Sequence, residues 1–247
     1  MSANLHQLIQ QPKNINNNIW RYMNLAKFII LLKDQALYLS RLDKMNDRFE
    51  GLASHASIQS RANRYPELVQ KAFPMIDQTY TDSKKWSYAN CWHMSDCESA
   101  AMWKIYASEI NSVAIKTTYE QLFNLLPEKT INCSIYMGIV TYYDYEKDLV
   151  PEGNSLALQM YKRNEYQYEN EVRALIQEYP ITQKDGKDKI NFSKINNKNG
   201  INVHIEIKKL INEVIVSPAS SAWFYDLVVD VCKKYQYNIE IKKSSLM

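Results

Sequence analysis

Glycine is scarce in this chain, 5 in 247 residues. No glycine-rich phosphate loop is available, neither a Walker-type run nor the G-x-G-x-x-G of a dinucleotide fold. No run of 18 or more apolar residues occurs, so a membrane span is not expected. The start, Met1 to Gln7, has no basic residues leading into an apolar core and reads as no secretory signal. Four cysteines are too few for a disulfide framework in a chain this long. Reduced thiols in a cytoplasm are the expectation. The formal charge of +3 is too small to argue for nucleic acid by itself.

What is present is an ordinary globular composition, 46% hydrophobic and 23% charged, with 18 tyrosines. One domain over 1–247 is expected, with residues 1–16 loose or briefly helical. Ile19–Met23 and Ala36–Ser40 read as strands, joined by a helix with Asn24 at its N-cap. A polar turn follows over 43–51, then weakly patterned helix over 52–82. Ser87–Met94 reads as a buried strand. Ser95-Asp-Cys-Glu98 and Thr118 to Gln121 match capping boxes ahead of two helices. Strands are expected at 112–116, 133–143, 171–177, 201–207, 213–217 and 238–241. Helices are expected at 155–164 and from Ser217-Pro218 to Lys234. Thr182–Gly200, rich in lysine and asparagine, reads as a mobile insertion. About eight short strands among helices predict an α+β fold around a mixed, mostly antiparallel sheet with flanking helices.

The densest chemistry lies in Tyr161 to Ile176. Glu169, Glu171 and Arg173 alternate, so on a strand they share one face, with Val172, Ala174 and Ile176 on the other. Either this is the solvated face of a two-layer sheet, or it presents a catalytic carboxylate at a strand end. Arg21 sits between Trp20 and Tyr22 in an apolar strand, where a guanidinium needs an anion to offset desolvation. Tyr22, Ser40 and Arg41 lie at the ends of the same two strands, and Lys162 and Arg163 add charge before the acidic strand. Trp92, Trp103 and Tyr106 form an aromatic group that is either core or a stacking platform. Cys91-x-His93-x-x-x-Cys97 lacks the second half of a zinc site. Packing accounts for it, with a Cys91–His93 nucleophile pair as the minor alternative.

Eight motifs run in a characteristic order. They are Trp20-Arg-Tyr-Met23, Leu37-Tyr-Leu-Ser-Arg41, Met45-Asn-Asp-Arg-Phe-Glu50, Asn90-Cys-Trp-His-Met-Ser95, Ala101-Met-Trp-Lys-Ile-Tyr106, Val113-Ala-Ile115, Tyr168-Glu-Asn-Glu-Val-Arg-Ala-Leu175 and Glu213-Val-Ile-Val-Ser-Pro218. Together they resemble the uncharacterised bacterial family catalogued as domain of unknown function 2971. Arg48 departs from it, since the family's turn usually carries proline there. The layout also resembles ADP-ribosyltransferases, DNA-targeting bacterial toxins among them. That likeness implies an ADP-ribosyltransferase-like split sheet and NAD as substrate, with no metal. Arg21 would hold the NAD phosphates or ribose, and Tyr22 or Ser40 would line the nicotinamide pocket, with Arg41 and Trp92 as further binding residues. Glu171 would hydrogen-bond the ribose, and Glu169 would activate the acceptor, a nucleic acid or protein. A toxin or anti-phage role follows from the same likeness. Two other readings stay open: a metal-dependent nuclease using Asp43, Asp47, Glu50 or the Glu169/Glu171 pair, and a non-catalytic nucleotide sensor.

Overall fold

The computed structural model describes residues 2–246 except 46, 108, 109, 131, 132 and 185. Asn46 of the expected turn and Asp185 of the expected insertion lie outside the described residues. The chain opens with β1 (Asn18–Asn24), α1 (Leu25–Asp34) and β2 (Ala36–Arg41). Helices α2 (His55–Arg64), α3 (Glu67–Gln70) and α4 (Phe73–Lys84) lead to β3 (Ser87–Met94). Next come α5 (Ala100–Tyr106), β4 (Ser112–Thr118), α6 (Tyr119–Leu125), β5 (Lys129–Thr130), β6 (Cys133–Ile139) and β7 (Thr141–Tyr143). Then follow α7 (Ser155–Leu158), β8 (Tyr161–Arg163), β9 (Glu171–Gln177), β10 (Ile181–Lys184) and β11 (Lys187–Ile190). The chain closes with β12 (Gly200–His204), α8 (Ile207–Leu210), β13 (Glu213–Val216), α9 (Ala222–Lys234) and β14 (Glu240–Lys243). The expected count of about eight strands was low because several strands span only two to four residues. Among the described residues no helix is long and apolar enough to cross a membrane.

The fold is α+β, with a mostly antiparallel sheet and flanking helices. The main sheet runs β14-β13-β4-β1-β3-β9-β6-β5, and β2 joins β3 while carrying β12. Among the described residues its one parallel ladder is β13–β14. The sheet forks at β3. Its far edge pairs with β9 from Ser87 to His93. Its near edge is shared: β1 meets it at Trp20↔His93 and Ile19↔Met94, and β2 meets it at Ser40↔Ala89 and Arg41↔Tyr88. Asn90, Cys91 and Trp92 therefore floor a gap between β1 and β2. Helix α1 spans that gap. Asn24 Oδ1 accepts from Lys27 N at 3.0 Å to start it, and Gln35 ends it in the left-handed region at φ 48°. Its Phe28, Leu31 and Leu32 are buried in the larger core, which includes Trp92, Val172, Ala174 and Ile176. The opposite face carries two smaller apolar groups, one around Trp20, Tyr22 and Trp103 and one around Leu42, Ala89 and Leu175.

Several boundaries differ from expectation. Residues 3–11 are docked: Asn4 bridges Tyr136, Asn4 N donates to Ile135 O at 2.7 Å, and Ile139 N donates to Gln10 O at 2.9 Å. The hydroxyl that caps α5 is Ser99, whose Oγ accepts from Met102 N, while Ser95 makes a local turn to Cys97 N. The second capping residue, Thr118, is where expected and accepts from Gln121 N at 3.2 Å. The expected helix over 155–164 stops at Leu158, because the Gln159 carbonyl accepts from Arg173 and the chain turns extended to deliver Lys162. The strand expected over 133–143 breaks at Val140, whose N–H goes to Glu171 O before β7 leaves to pair with β8. Helix α9 starts at Ala222 rather than Pro218, because Ser217 N is drawn to Ser112 O. The 182–200 segment is a hairpin, β10–β11, followed by a strap that Arg41 ties down through Asn196 O and Lys198 O at 2.6 and 2.8 Å.

Docking of the N-terminal segment requires Gly138. A Cβ there would stand 2.3 Å from Ile9 Cγ2 and 2.5 Å from Gln10 O. Gly138→Ala is expected to destabilise the protein by about 1–3 kcal/mol and to raise amide exchange over residues 3–11. Unchanged protection there would mean the segment contributes nothing.

Candidate functional site

Register assigns the faces. Across β3 and β9, Cys91 pairs with Arg173 and His93 with Glu171, so all four side chains share one side of the sheet. This side is not solvated: Arg173 is 0% exposed and Glu171 3%. Glu169 lies outside the strand, at the end of a 3₁₀ turn over Asn164–Glu169. Asn170 then takes a left-handed φ of 38°, a conformation asparagine tolerates, and this reversal returns the Glu169 carboxylate to Glu171.

Five buried charges meet there. Lys162 Nζ lies 2.5 Å from Glu169 Oε2 and 3.3 Å from Glu171 Oε2. Arg173 Nε lies 2.8 Å from Glu171 Oε1, Arg173 also ion-pairs Glu50, and its Nη1 donates to Gln159 O at 2.5 Å. Tyr106 Oη donates to Glu169 Oε1 at 2.8 Å, and Glu171 N donates to Tyr142 Oη at 2.9 Å. Three carboxylates thus face Lys162 and Arg173, and a third buried cation, Lys84, bears electrostatically on Glu50. Desolvation acts on all three carboxyls. At Glu171 the Arg173 and Lys162 charges overcome it and hold the pKa down to about 2. At Glu50 and Glu169 burial prevails and the carboxyls titrate above their ordinary range. Burial of Lys162 is more than offset by Glu171 and Glu50, so its ammonium stays charged. The Glu50 Oε2 atom is sealed from solvent with no hydrogen-bond donor among the described residues.

The five expected binding residues divide. Arg21 lies in the fork, its Nη2 3.5 Å from Tyr38 O and its guanidinium 6.0 Å from the Trp92 ring. It is on the sheet face opposite Glu171, since its neighbour Trp20 is the one in register with His93. On the carboxylate side the Cys91 thiol hydrogen-bonds Glu171. Burial lowers the Arg21 pKa to about 10, still charged at neutral pH. Ser40 is half-buried, on the Ala89 face and hence the carboxylate side. Tyr22 has its hydroxyl occupied by Ser99 N at 2.9 Å and its ring edge-on to Trp103, and burial pushes its pKa up to about 12. Arg41 is spent on Asp43 and the strap carbonyls. Trp92 is core, donating to Asn90 Oδ1 at 2.6 Å while Asn90 Nδ2 holds Tyr38 O.

The acids weighed for a nuclease are dispersed. Asp43 pairs with Arg41, Asp47 with Arg163 and Glu50 with Arg173. No group of three metal-ligating side chains converges among the described residues. Burial pushes the Cys91 thiol up, away from a nucleophilic thiolate. Sequence reasoning missed the roles of Tyr106, Tyr142 and Gln159, which approach from distant elements with no spacing signal. Lys162 carried one: it flanks the acidic strand within the same short segment. A cleft of about 360 Å³ lined by Phe49, Tyr145 and Arg163 lies beside the cluster, and a larger one of about 610 Å³ lies away from it, between α6 and α8. No protein-family model, curated protein or solved structure matches the chain.

Removing one partner of a buried ion network leaves the others unpaired, so Lys162→Met should lower unfolding free energy by about 3–5 kcal/mol in urea titrations. A loss below about 1 kcal/mol would show that the network tolerates the deletion. The pH dependence has two parts. The depressed Glu171 pKa contributes stability present above the unfolded value of about 4.3 and lost as pH falls towards about 2. The raised Glu169 and Glu50 pKa values act the other way: the folded state retains protons that the unfolded chain releases, and stability falls as pH rises above about 4.3. Glu169→Gln should flatten that second decline in denaturant titrations from pH 4 to 8, and an unchanged slope would place the retained proton elsewhere.

Proposed function

We propose that this chain cleaves the nicotinamide–ribose bond of NAD and passes ADP-ribose to water or a macromolecular acceptor. In this reading it is a cytoplasmic member of the family of unknown function 2971 with an ADP-ribosyltransferase-like split sheet. The observation that carries the reading is Arg21. The other buried or half-buried arginines each face a carboxylate: Arg41 faces Asp43, Arg61 faces Asp77 and Glu152, Arg163 faces Asp47, and Arg173 faces Glu50 and Glu171. Arg21 meets the Tyr38 carbonyl and the Trp92 ring but no carboxylate among the described residues. A half-buried guanidinium with no carboxylate partner is suited to a bound anion, and a pyrophosphate matches its planar fork.

The cluster of buried carboxylates supports the other half of the reading. When the C1′–N1 bond of NAD breaks, its electron pair goes to the nicotinamide nitrogen, and positive charge develops on the ribose until an acceptor oxygen bonds C1′. Fixed anionic groups in a dry site stabilise such charge. Glu171, ionised well below neutral pH, supplies it, and Glu169 stands nearer the rim beside the exposed Tyr106. Ser40 borders the fork on the carboxylate side, while Arg41 and Trp92 act as supports. A toxin or anti-phage role would follow from depletion of NAD or modification of an essential acceptor.

Purified wild type, Glu171→Gln and Arg21→Ala should be incubated with NAD, with and without DNA, RNA and cell lysate, and nicotinamide release followed. Release by wild type, reduced about 10²-fold or more in Glu171→Gln and with raised KM for NAD in Arg21→Ala, is expected, circular dichroism showing both variants folded. No release in any mixture would overturn the transferase reading. A thermal shift with NAD but no turnover would instead identify a nucleotide sensor.

A further inference from the structure

His93 lies in register with Glu171 on the carboxylate side of the sheet, half-buried at the end of β3. Its Nδ1 is 2.6 Å from the Glu169 carbonyl oxygen. A backbone carbonyl only accepts, so Nδ1 carries the proton and Nε2 keeps its lone pair. Nε2 has no hydrogen-bond partner among the described residues, yet it is not one of the side-chain atoms sealed from solvent. The packing also keeps the ring neutral: burial lowers its pKa below the ordinary histidine value, the Glu169 carbonyl only partly opposing. The groups around it are Tyr22 from β1, Cys91 on its own strand, Glu171 from β9, and Glu169 with its partners Tyr106 and Lys162. Tyr22 and Tyr106 have raised pKa values and stay neutral, as does the Cys91 thiol.

We infer that His93 is the general base of the site, its Nε2 taking the proton from the water or acceptor hydroxyl that attacks C1′. This rests on the NAD reading. In the step, the acceptor O–H bond breaks and its proton moves to Nε2. The oxygen bonds C1′, and the C1′–N1 pair leaves with neutral nicotinamide. The imidazolium then returns its proton to solvent. The Glu169 backbone fixes the tautomer, in the way a second partner fixes the working nitrogen of other histidine bases. The role first considered for this ring, activating Cys91, fails because that thiol is buried and its pKa is raised.

His93→Asn places an amide N–H near the Nδ1 position, retaining a donor for the Glu169 carbonyl while removing the base. Nicotinamide release should be measured from pH 4.5 to 8 in wild type and variant, with thermal unfolding of both and a ¹⁵N histidine titration of wild type. The expected result is a fall in kcat of about 10²-fold or more with KM for NAD unchanged. The acid limb of the wild-type profile should coincide with the His93 Nε2 titration and be absent in the variant. If the folded variant turns over within a few-fold of wild type, or keeps the acid limb, the base assignment is overturned and the NAD reading stands. If wild type releases no nicotinamide under any condition, both fall together.

Discussion

The arrangement of this protein depends on one buried guanidinium. Arg173 has no exposed surface and holds partners from three parts of the chain: Glu171 two residues away on its strand, Glu50 in the turn after β2, and the Gln159 carbonyl where α7 ends. The position of Lys162 follows, because ending the helix at Leu158 swings the next residues into β8 and aims the ammonium at Glu169 and Glu171. Such a network adds little net stability over an apolar core of the same volume, since desolvation consumes most of the Coulombic gain. Its effect here is positional. Misplacing any one of the three segments leaves a bare charge in a dry interior, so the segments are held in a single mutual arrangement.

Two unlike charge environments lie on opposite faces of the sheet at Cys91. On the β3–β9 face, three carboxylates gather around Lys162 and Arg173, with Lys84 acting on Glu50. In the fork, Arg21 has no carboxylate. Neither repairs the other, because the sheet stands between them. Asn90 to Trp92 carry no neighbouring strand on the β1–β2 edge among the described residues, so the fork is where the two faces come nearest to a common opening in the sheet.

Much of the frame was legible in the sequence. Ser87–Met94 was read at its true bounds as a mostly apolar buried run, and Glu171–Gln177 from the alternation of Glu171 and Arg173 with Val172, Ala174 and Ile176. Asn24 and Thr118 were legible as caps because the hydroxyl or amide directly precedes an apolar helical period. The misplaced cap at Ser95 shows the limit of that signal: two serines four residues apart both precede α5, and only the one whose Oγ meets Met102 N starts the helix. Arg21 and Arg41 looked alike in their strands. Only the flanking Trp20 and Tyr22 hinted that Arg21 would be desolvated, and nothing local showed that Arg41 would bind carbonyls more than 150 residues away. The alternation of Glu169, Glu171 and Arg173 implied the right neighbours by the wrong route, since Glu169 reaches the cluster through a left-handed turn rather than along the strand. Tyr106, Tyr142 and Gln159 were beyond sequence reasoning because their contacts are made only by tertiary packing.

Glu169 occupies a position that joins these parts into one chemistry. Its carboxylate binds Lys162 and Tyr106, while its carbonyl, on the same residue, holds the His93 ring. A substrate whose charge competes with Lys162 for that carboxylate therefore acts on the residue that orients the imidazole. The carboxylate is also one of the two pushed towards the neutral form, so ionising it is easiest when positive charge arrives nearby. On the proposed reading, developing charge on a ribose would strengthen its own stabilisation by this route, whereas in the resting protein burial holds this carboxyl, like that of Glu50, above its ordinary range. Asn170 makes this coupling geometrically feasible. With φ at 38° it folds the chain back so that one residue presents its side chain to the acid cluster and its backbone to His93, which an uninterrupted strand, with carbonyls in the ladder and side chains perpendicular to it, does not allow.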